Sequence, residues 1–488
     1  MKAVVSIPRS LDGIDGQTFD VVIVGAGIYG ALCAVEAAHR GLRTLLVDRA
    51  DFGAGASFKS LRTIHGGLRY LQTLDLPRAR ASSRQRDWWL ANFPDLVVAR
   101  PCLMPLYGRG LRRPAAFRAA AVLAHLLRLN STGLPAERRL PALRLVGALE
   151  VRQRFPGIPT GGLMSGALWF DAFMPEPSRI VIECIRWAVS AGARALNYVE
   201  LRGAQPERAG SSRLALVDRV SGAELTVTTG ATINATGSSV DEVARRLGGS
   251  GRSLLLPTIA WNLLLDAPPP GSGCLALTPP RRGAQTYFLH SFHGRVLAGT
   301  GHAAVATGDA NLTPSAALIQ SMRADLDTAF PDAGLGQARV LRVLADVLPG
   351  VRPHDRRLAM RPRIHRDSAG GGAALWHVVG VKFTEASDVA RRVLHLVCGG
   401  GNADLRPRPA GGSGWDVLDR TEPITRTALL DLAASESVLY LEDLIERRTN
   451  AWCDADTRQR VEALVGDDFA GAATTGQKTR ARILASER

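Results

Sequence analysis

The residues best able to do chemistry stand early in the chain. Gly25, Gly27 and Gly30 form a Gly-x-Gly-x-x-Gly run directly after the apolar stretch Val21-Val22-Ile23-Val24. The run opens a helix, predicted over 31–39 and closed by Gly41, and a second apolar strand over 44–47 ends at Asp48. Strand, glycine turn, helix, strand and acid within about thirty residues make the βαβ unit that holds a dinucleotide. Gly25 permits the tight turn, Gly27 lets a pyrophosphate approach bare backbone, and Gly30 lets the helix pack against the sheet. The first N–H groups of that helix offer donors and partial positive charge to phosphate. Asp48 is placed to accept from a ribose hydroxyl.

A second set of residues is basic. Almost all of the 60 Lys and Arg are arginine, the lysines being Lys2, Lys59, Lys382 and Lys478. Arginines run from Arg9 to Arg488, so the net charge of +15 is a bias of the whole chain. No basic run interleaved with aromatics occurs, which argues against a nucleic-acid partner and for small anionic molecules or anionic surfaces. Lys382, in a chain that otherwise prefers arginine, is a candidate for a specific task. An anion entering a desolvated pocket calls for charge-assisted donors of this kind.

Composition bounds the rest. The 488 residues, 46% of them apolar, can build several folding units around sizeable cores. Six cysteines lie far apart with no C-x-x-C pair, so neither a disulfide framework nor a metal site is expected, and a reducing compartment fits. Residues 1–17 read as a disordered leader without a signal peptide's apolar core, and no apolar run is long enough to span a bilayer. A cytoplasmic protein is expected. The amphipathic segment 115–129, within an Arg-, Ala- and Leu-rich stretch, reads as part of a packed helix pair or as a peripheral membrane contact.

Further elements must position these residues. Residues 51–71 form a long connection of small residues, Ser, Gly and Arg without a period, the kind that carries function. Helices are predicted over 76–92, 177–191, 314–330 and 386–398. Strands are predicted at 193–199, 214–218, 225–229 and 231–236. Residues 255–303 alternate strand-like runs with Gly and Pro turns, as an antiparallel sheet inserted into the first domain does. A late strand, 375–380, leads through Lys382 into the last long helix, and residues 426–488 read as helical.

At Gly25–Gly30, Asp48, HGGLRYL (65–71) and NATG (234–237), the chain resembles the FAD-dependent oxidoreductases of the D-amino-acid-oxidase superfamily. It is most similar to the flavin-linked glycerol-3-phosphate dehydrogenases, with further likeness at 113–114, 171–200, 350–353, 379–384 and 436–449. The resemblance implies an α/β fold: a Rossmann-like, doubly wound FAD-binding domain, an inserted antiparallel-sheet substrate domain and a small C-terminal helical module. The flavin segments are expected at about 18–100, 170–250 and 340–400, the substrate segments at about 101–169 and 251–339, and the module at 414–488. It also implies noncovalent FAD. Gly25, Gly27, Gly30 and Asp48 would hold the ADP half, Ser57 and Ser60 match a Ser/Thr-rich segment, and Gly237, Gly380 and Thr384 belong to loops beside the cofactor. His65 would stand next to the flavin ring, with Arg69, Arg352 and Lys382 on the substrate's anionic group. The implied reaction is oxidation of a secondary alcohol on a small phosphate or carboxylate, glycerol 3-phosphate foremost, with a quinone or oxygen as electron acceptor.

The chain departs from that family in places. A Lys-Gly-Ser-His-like run common in relatives is replaced by Leu256-Pro257-Thr258-Ile259-Ala260-Trp261, which leaves His302 as a candidate substitute imidazole. Phe58, Leu61 and Val381 stand where smaller residues are common. Oxidation of an amine, an amino acid or a 2-hydroxy acid, or a non-catalytic flavin-binding assembly role, are the alternative readings.

Overall fold

In the computed structural model the described residues are 5–108, 113–127, 134–208, 210–281, 283–305, 313–352, 356–367, 372–409 and 424–469. Two large sheets organise them. In the first, Thr18–Val24 is flanked by Thr44–Val47 and Glu224–Asn234, both parallel to it, and Ala374–Val379 adds a further parallel strand beside Glu224–Asn234. Parallel strands buried on both faces need continuous apolar sequence, and Val21–Val24 and Leu45–Val47 supply it. Helix Ile28–His39 is buried from Ile28 to Ala38 save Tyr29, because it lies between the sheet and the helices Pro177–Ser190 and Ala386–Cys398. Four loops therefore leave the same edge of the sheet: those that follow Val24, Val47, Asn234 and Val379. In an open parallel sheet this carboxyl edge is where ligands bind.

The second sheet has nine strands in the order Arg339–Pro349, Pro257–Asp266, Arg295–Ala304, Tyr287–Phe292, Cys274–Leu277, Val98–Leu106, Ser165–Phe173, Thr63–Ile64, with Arg144–Gly147 beside Ser165–Phe173. It is antiparallel except where Cys274–Leu277 runs parallel to Val98–Leu106. Side chains alternate across it. Trp261, Leu263, Leu265, Leu275 and Leu289 pack with Met322 and Leu326 of helix Ala316–Ala329. Asn262 points the other way, donating to the Lys59 carbonyl at 2.9 Å, so that face looks toward the first sheet's connecting segment.

Several expectations are revised. Arg339–Pro349, assigned from sequence to a flavin segment, hydrogen-bonds along Pro257–Asp266 and belongs to the second sheet. The short strands predicted at 225–229 and 231–236 are one strand, Glu224–Asn234, which leaves a hairpin to enter the parallel core. Residues 5–17 are packed rather than disordered: Ile7 and Ile14 are fully buried and the Ile7 N–H donates to the Ser435 carbonyl. The expected helix pair is a single helix, Pro114–Leu126, residues 128–133 lying outside the described set. Its Phe117, Ala120 and Ala124 are buried, and Val122 and Leu126 face solvent.

The C-terminal helices have a small core of their own (Leu429, Leu432, Leu444, Ile445, Val461, Val465) but are tied in by buried charge. Glu436 accepts from Arg179 and Arg186, and Asp51 takes both terminal nitrogens of Arg448 at 2.8 and 2.9 Å. Arg447 and Arg448 hold the Asp51 carboxyl down at about 2 against the upward push of burial. Such pairs resist separation because either partner left alone would be an uncompensated buried charge.

Candidate active site

The glycine turn is shaped by close approach. Gly25 has φ +101°, and a Cβ there would meet the Ala235 carbonyl oxygen at 2.7 Å, while one at Gly30 would fall 1.8 Å from the Gly25 oxygen. Both positions require glycine for steric reasons. Ser57 crosses to this turn and its Oγ accepts from the Ile28 N–H at 3.0 Å. Ser60 Oγ is buried without a partner, an open donor and acceptor in the same segment. Gly237, at φ +60°, begins the loop after Glu224–Asn234, with open space where its side chain would be.

Asp48 ends the Thr44–Val47 strand with both carboxylate oxygens engaged, one by the Ala26 N–H at 2.7 Å and the other by the Ala50 N–H at 2.9 Å. Burial raises its carboxyl to about 6 even though those N–H groups pull the other way. Each oxygen keeps a second lone pair, so Asp48 braces the glycine turn and can still accept from a hydroxyl. Glycine cradle, helix N-terminus and acid together fit the ADP half of FAD.

The late loop is tied to the glycine turn by residues that sequence reading partly missed. Tyr29, inside the glycine run, donates to the Lys382 carbonyl at 2.6 Å and accepts the Val381 and Lys382 N–H groups, each at 3.2 Å. It thereby joins the first turn to the late loop. A Cβ on Gly380 would lie 2.2 Å from the Tyr29 ring, so that loop position must be glycine. Thr384 is buried; its Oγ1 accepts the His65 N–H at 3.2 Å and its carbonyl accepts from Trp89 at 3.1 Å. The HGG segment and the late loop are thus hydrogen-bonded to each other.

His65 Nδ1 lies 3.4 Å from Asp171 Oδ2, and the same carboxylate accepts from the Gly66 N–H at 2.6 Å and from Trp169 Nε1 at 3.1 Å. Burial pushes the Asp171 carboxyl up, but His65, Arg86 and the Gly66 N–H outweigh it and hold the group below its ordinary value. Lys382 Nζ donates to the Tyr70 hydroxyl and sits 5.0 Å from that ring's centre. Asp171, Tyr70 and Tyr29 were not singled out from sequence. Tyr70 could have been, since it adjoins Arg69 in the HGGLRYL run, whereas Asp171 has no local signal.

The other predicted residues are dispersed. Arg69 is exposed and lines a cavity with His302; neither Lys382 nor Tyr70 lines it. Arg352 is exposed after the Arg339–Pro349 strand and makes no ion pair among the described residues. Cys102 and Cys274 are cross-strand partners in the second sheet. Cys274 Sγ also lies 3.6 Å from His290 Nε2. Burial drives Cys102 up, while Cys102 and His290 bring Cys274 down to about 5 in spite of its burial. Among the described residues no cluster of metal ligands occurs and no helix is long and apolar enough to cross a membrane.

A doubly wound sheet with a dinucleotide cradle at its carboxyl edge, roofed by a second sheet, defines a flavin-dependent oxidoreductase. The chain belongs to the DAO family of FAD-dependent oxidoreductases, whose pattern matches residues 20–401. Among curated relatives, a glycerol-3-phosphate dehydrogenase of Synechocystis is 31% identical over 303 residues, 60% of this chain and 53% of that protein. Glycerol-3-phosphate dehydrogenase 1 of Mycobacterium bovis is 29% identical over 92% of this chain and 94% of its own length. Among solved structures, the glycerol-3-phosphate dehydrogenase of Bacillus halodurans complexed with FAD superposes with a TM-score of 0.70 at 16% identity, covering 97% of this chain and 95% of that one. The protein is an FAD-dependent enzyme.

Proposed function

We propose that the enzyme oxidises the secondary alcohol of a small phosphorylated polyol, glycerol 3-phosphate foremost, to the ketone. FAD, when bound, supplies the acceptor for the hydride leaving the carbinol carbon. The observation that carries the reading is the convergence on one late loop of a cation and an oriented imidazole. Lys382 meets Tyr70 there, and Thr384, two residues on, holds the backbone of His65. With Asp171 accepting at Nδ1, the Nε2 of His65 is left free to take the hydroxyl proton. Lys382 and Tyr70 then bind the anionic group, with Arg69 and Arg352 recruited from exposed positions. The electrons leave to a quinone or to oxygen.

The test is anaerobic mixing of the FAD-loaded protein with glycerol 3-phosphate while the flavin absorbance is followed. Bleaching by glycerol 3-phosphate and not by glycerol is the expected result. A specific feature favours one further reading: Pro257–Asp266 carries no histidine, so its face offers Ala260 and Asn262 instead. If amino acids or 2-hydroxy acids bleach the flavin and phosphorylated polyols do not, the cations bind a carboxylate and the phosphate reading falls.

A further inference from the structure

The second sheet gathers two thiols, an imidazole and a guanidinium on one face. Cys102 and Cys274 are partners at the parallel junction of the sheet, and His290 is the partner of Cys274 on its other side. Partners across a ladder share a face, and so do residues two apart on a strand, which adds Arg100 to the set. Cys102, Cys274 and His290 are buried. The other described cysteines, Cys33, Cys184, Cys398 and Cys453, stand on helices.

The two thiols are placed to be joined. Neighbouring strands run about 4.8 Å apart, and a disulfide spans Cα atoms about 4.4–6.8 Å apart. The backbones do approach closely here: a Cβ on Gly273, beside Cys274, would lie 2.6 Å from the Pro101 carbonyl oxygen, beside Cys102.

The surroundings also make the two sulfurs unequal. Cys274 Sγ lies 3.6 Å from His290 Nε2, while Cys102 Sγ lies 3.7 Å from the Arg100 carbonyl oxygen. Arg100 makes no ion pair among the described residues; its guanidinium lies over the Phe173 ring and donates to the Ser291 carbonyl at 2.9 Å. A thiol beside an imidazole and an uncompensated guanidinium ionises readily, and the thiolate is the nucleophile. Burial opposes this, yet the Cys274 thiol is held at about 5, whereas burial pushes Cys33 and Cys184 up. The cluster also borders the site. His290 Nε2 is 2.8 Å from Thr63 Oγ1, two residues before His65, and Phe288, packed on the two cysteines, lies 5.6 Å from the His65 ring.

We propose that Cys274 and Cys102 are an oxidative modification site, a nucleophilic and a resolving thiol that a small hydroperoxide closes into a disulfide. His290 takes the Cys274 proton, and the sulfur attacks one peroxide oxygen. The O–O bond breaks, and the departing hydroxide takes that proton and leaves as water. The Cys102 sulfur then displaces hydroxide from the Cys274 sulfenic acid: the S–O bond breaks, the S–S bond forms, and the Cys102 proton leaves in a second water. Two electrons pass from the sulfurs to the peroxide.

The test exposes the FAD-loaded protein, without substrate, to hydrogen peroxide at neutral pH. Differential alkylation and peptide mass spectrometry then follow each cysteine. A Cys102–Cys274 disulfide is expected, reversed by dithiothreitol, with Cys33 and Cys184 still alkylatable after denaturation. Cys102→Ser should form no disulfide and should leave a sulfenic acid at Cys274 that dimedone traps. His290→Gln should close the pair about tenfold more slowly. The flavin spectrum of each variant checks that it is folded. The proposal is overturned if both thiols survive an exposure that oxidises the exposed Cys398, if the bond forms only in denaturant, or if Cys274 in Cys102→Ser traps no dimedone. Closure as fast in His290→Gln as in the parent would overturn the activation of Cys274. None of these measurements uses turnover, so they stand whichever substrate the flavin oxidises.

Discussion

Asp171 holds His65 by its Nδ1 at 3.4 Å across 106 residues of sequence, while the same carboxylate takes the Gly66 N–H. One buried acid thus fixes both the orientation of the imidazole and the turn that carries it. Asp171→Asn keeps the shape and removes the charge. We expect kcat to fall about 10- to 100-fold, with flavin content retained and KM changed little, because positioning of the base is lost and substrate binding is not. Steady-state kinetics beside the flavin absorbance of the purified variant measure both. An unchanged kcat would remove His65 from the chemistry.

Lys382 and Tyr70 make the second prediction. Lys382→Met removes the charge while keeping a similar stem, and loss of a charged hydrogen bond to substrate is worth about 1.5–3 kcal/mol. KM for the anionic substrate should rise about 10- to 100-fold with FAD still bound, and Arg352→Gln should act in the same direction. Tyr70→Phe should have a smaller effect of the same kind. If Lys382→Met and Arg352→Gln both leave KM as it is, the anion is held elsewhere.

The parts legible in the sequence were those with a local period or a local steric demand. The glycine turn and Asp48 lie in one βαβ unit, and the helices Leu76–Asn92 and Ala386–Cys398 have the bounds expected from sequence. What escaped depends on partners far along the chain. Tyr29 reads as an ordinary helix residue until Lys382 arrives 353 positions later. Cys102 and Cys274 look unrelated until two strands become neighbours. Arg69 stands beside Tyr70 in sequence, but in this structure it is exposed and lines a cavity that Tyr70 does not, because successive residues on a helix point in different directions.

Glu436 is the acid on which two buried arginines of Pro177–Ser190 depend, and it comes from the C-terminal segment. Glu436→Ala leaves Arg179 and Arg186 with only Glu183 and a backbone carbonyl between them. Removing one partner of a buried ion pair costs about 3–5 kcal/mol. Thermal unfolding of the variant should shift down by several degrees, and the C-terminal helices should lose protection from proteolysis first. A variant as stable as the parent would show that these helices are not needed to hold Pro177–Ser190 in place.

Asp48 gives a prediction in pH. Burial raises its carboxyl from 3.8 to about 6, so the folded apoprotein favours the neutral acid. Its contribution to apoprotein stability is accordingly full below pH about 4 and is lost as pH rises through about 6. FAD reverses the preference, since a ribose hydroxyl donates more strongly to a carboxylate than to a carboxylic acid. Affinity for FAD should therefore rise about tenfold between pH 5 and 7.5, and fluorescence titration of the apoprotein across that interval measures it. Asp48→Asn should bind FAD more weakly at pH 7.5 and show little dependence on pH over the same range. Equal slopes in parent and variant would mean that another group governs the titration and that Asp48 only braces the Ala26 turn.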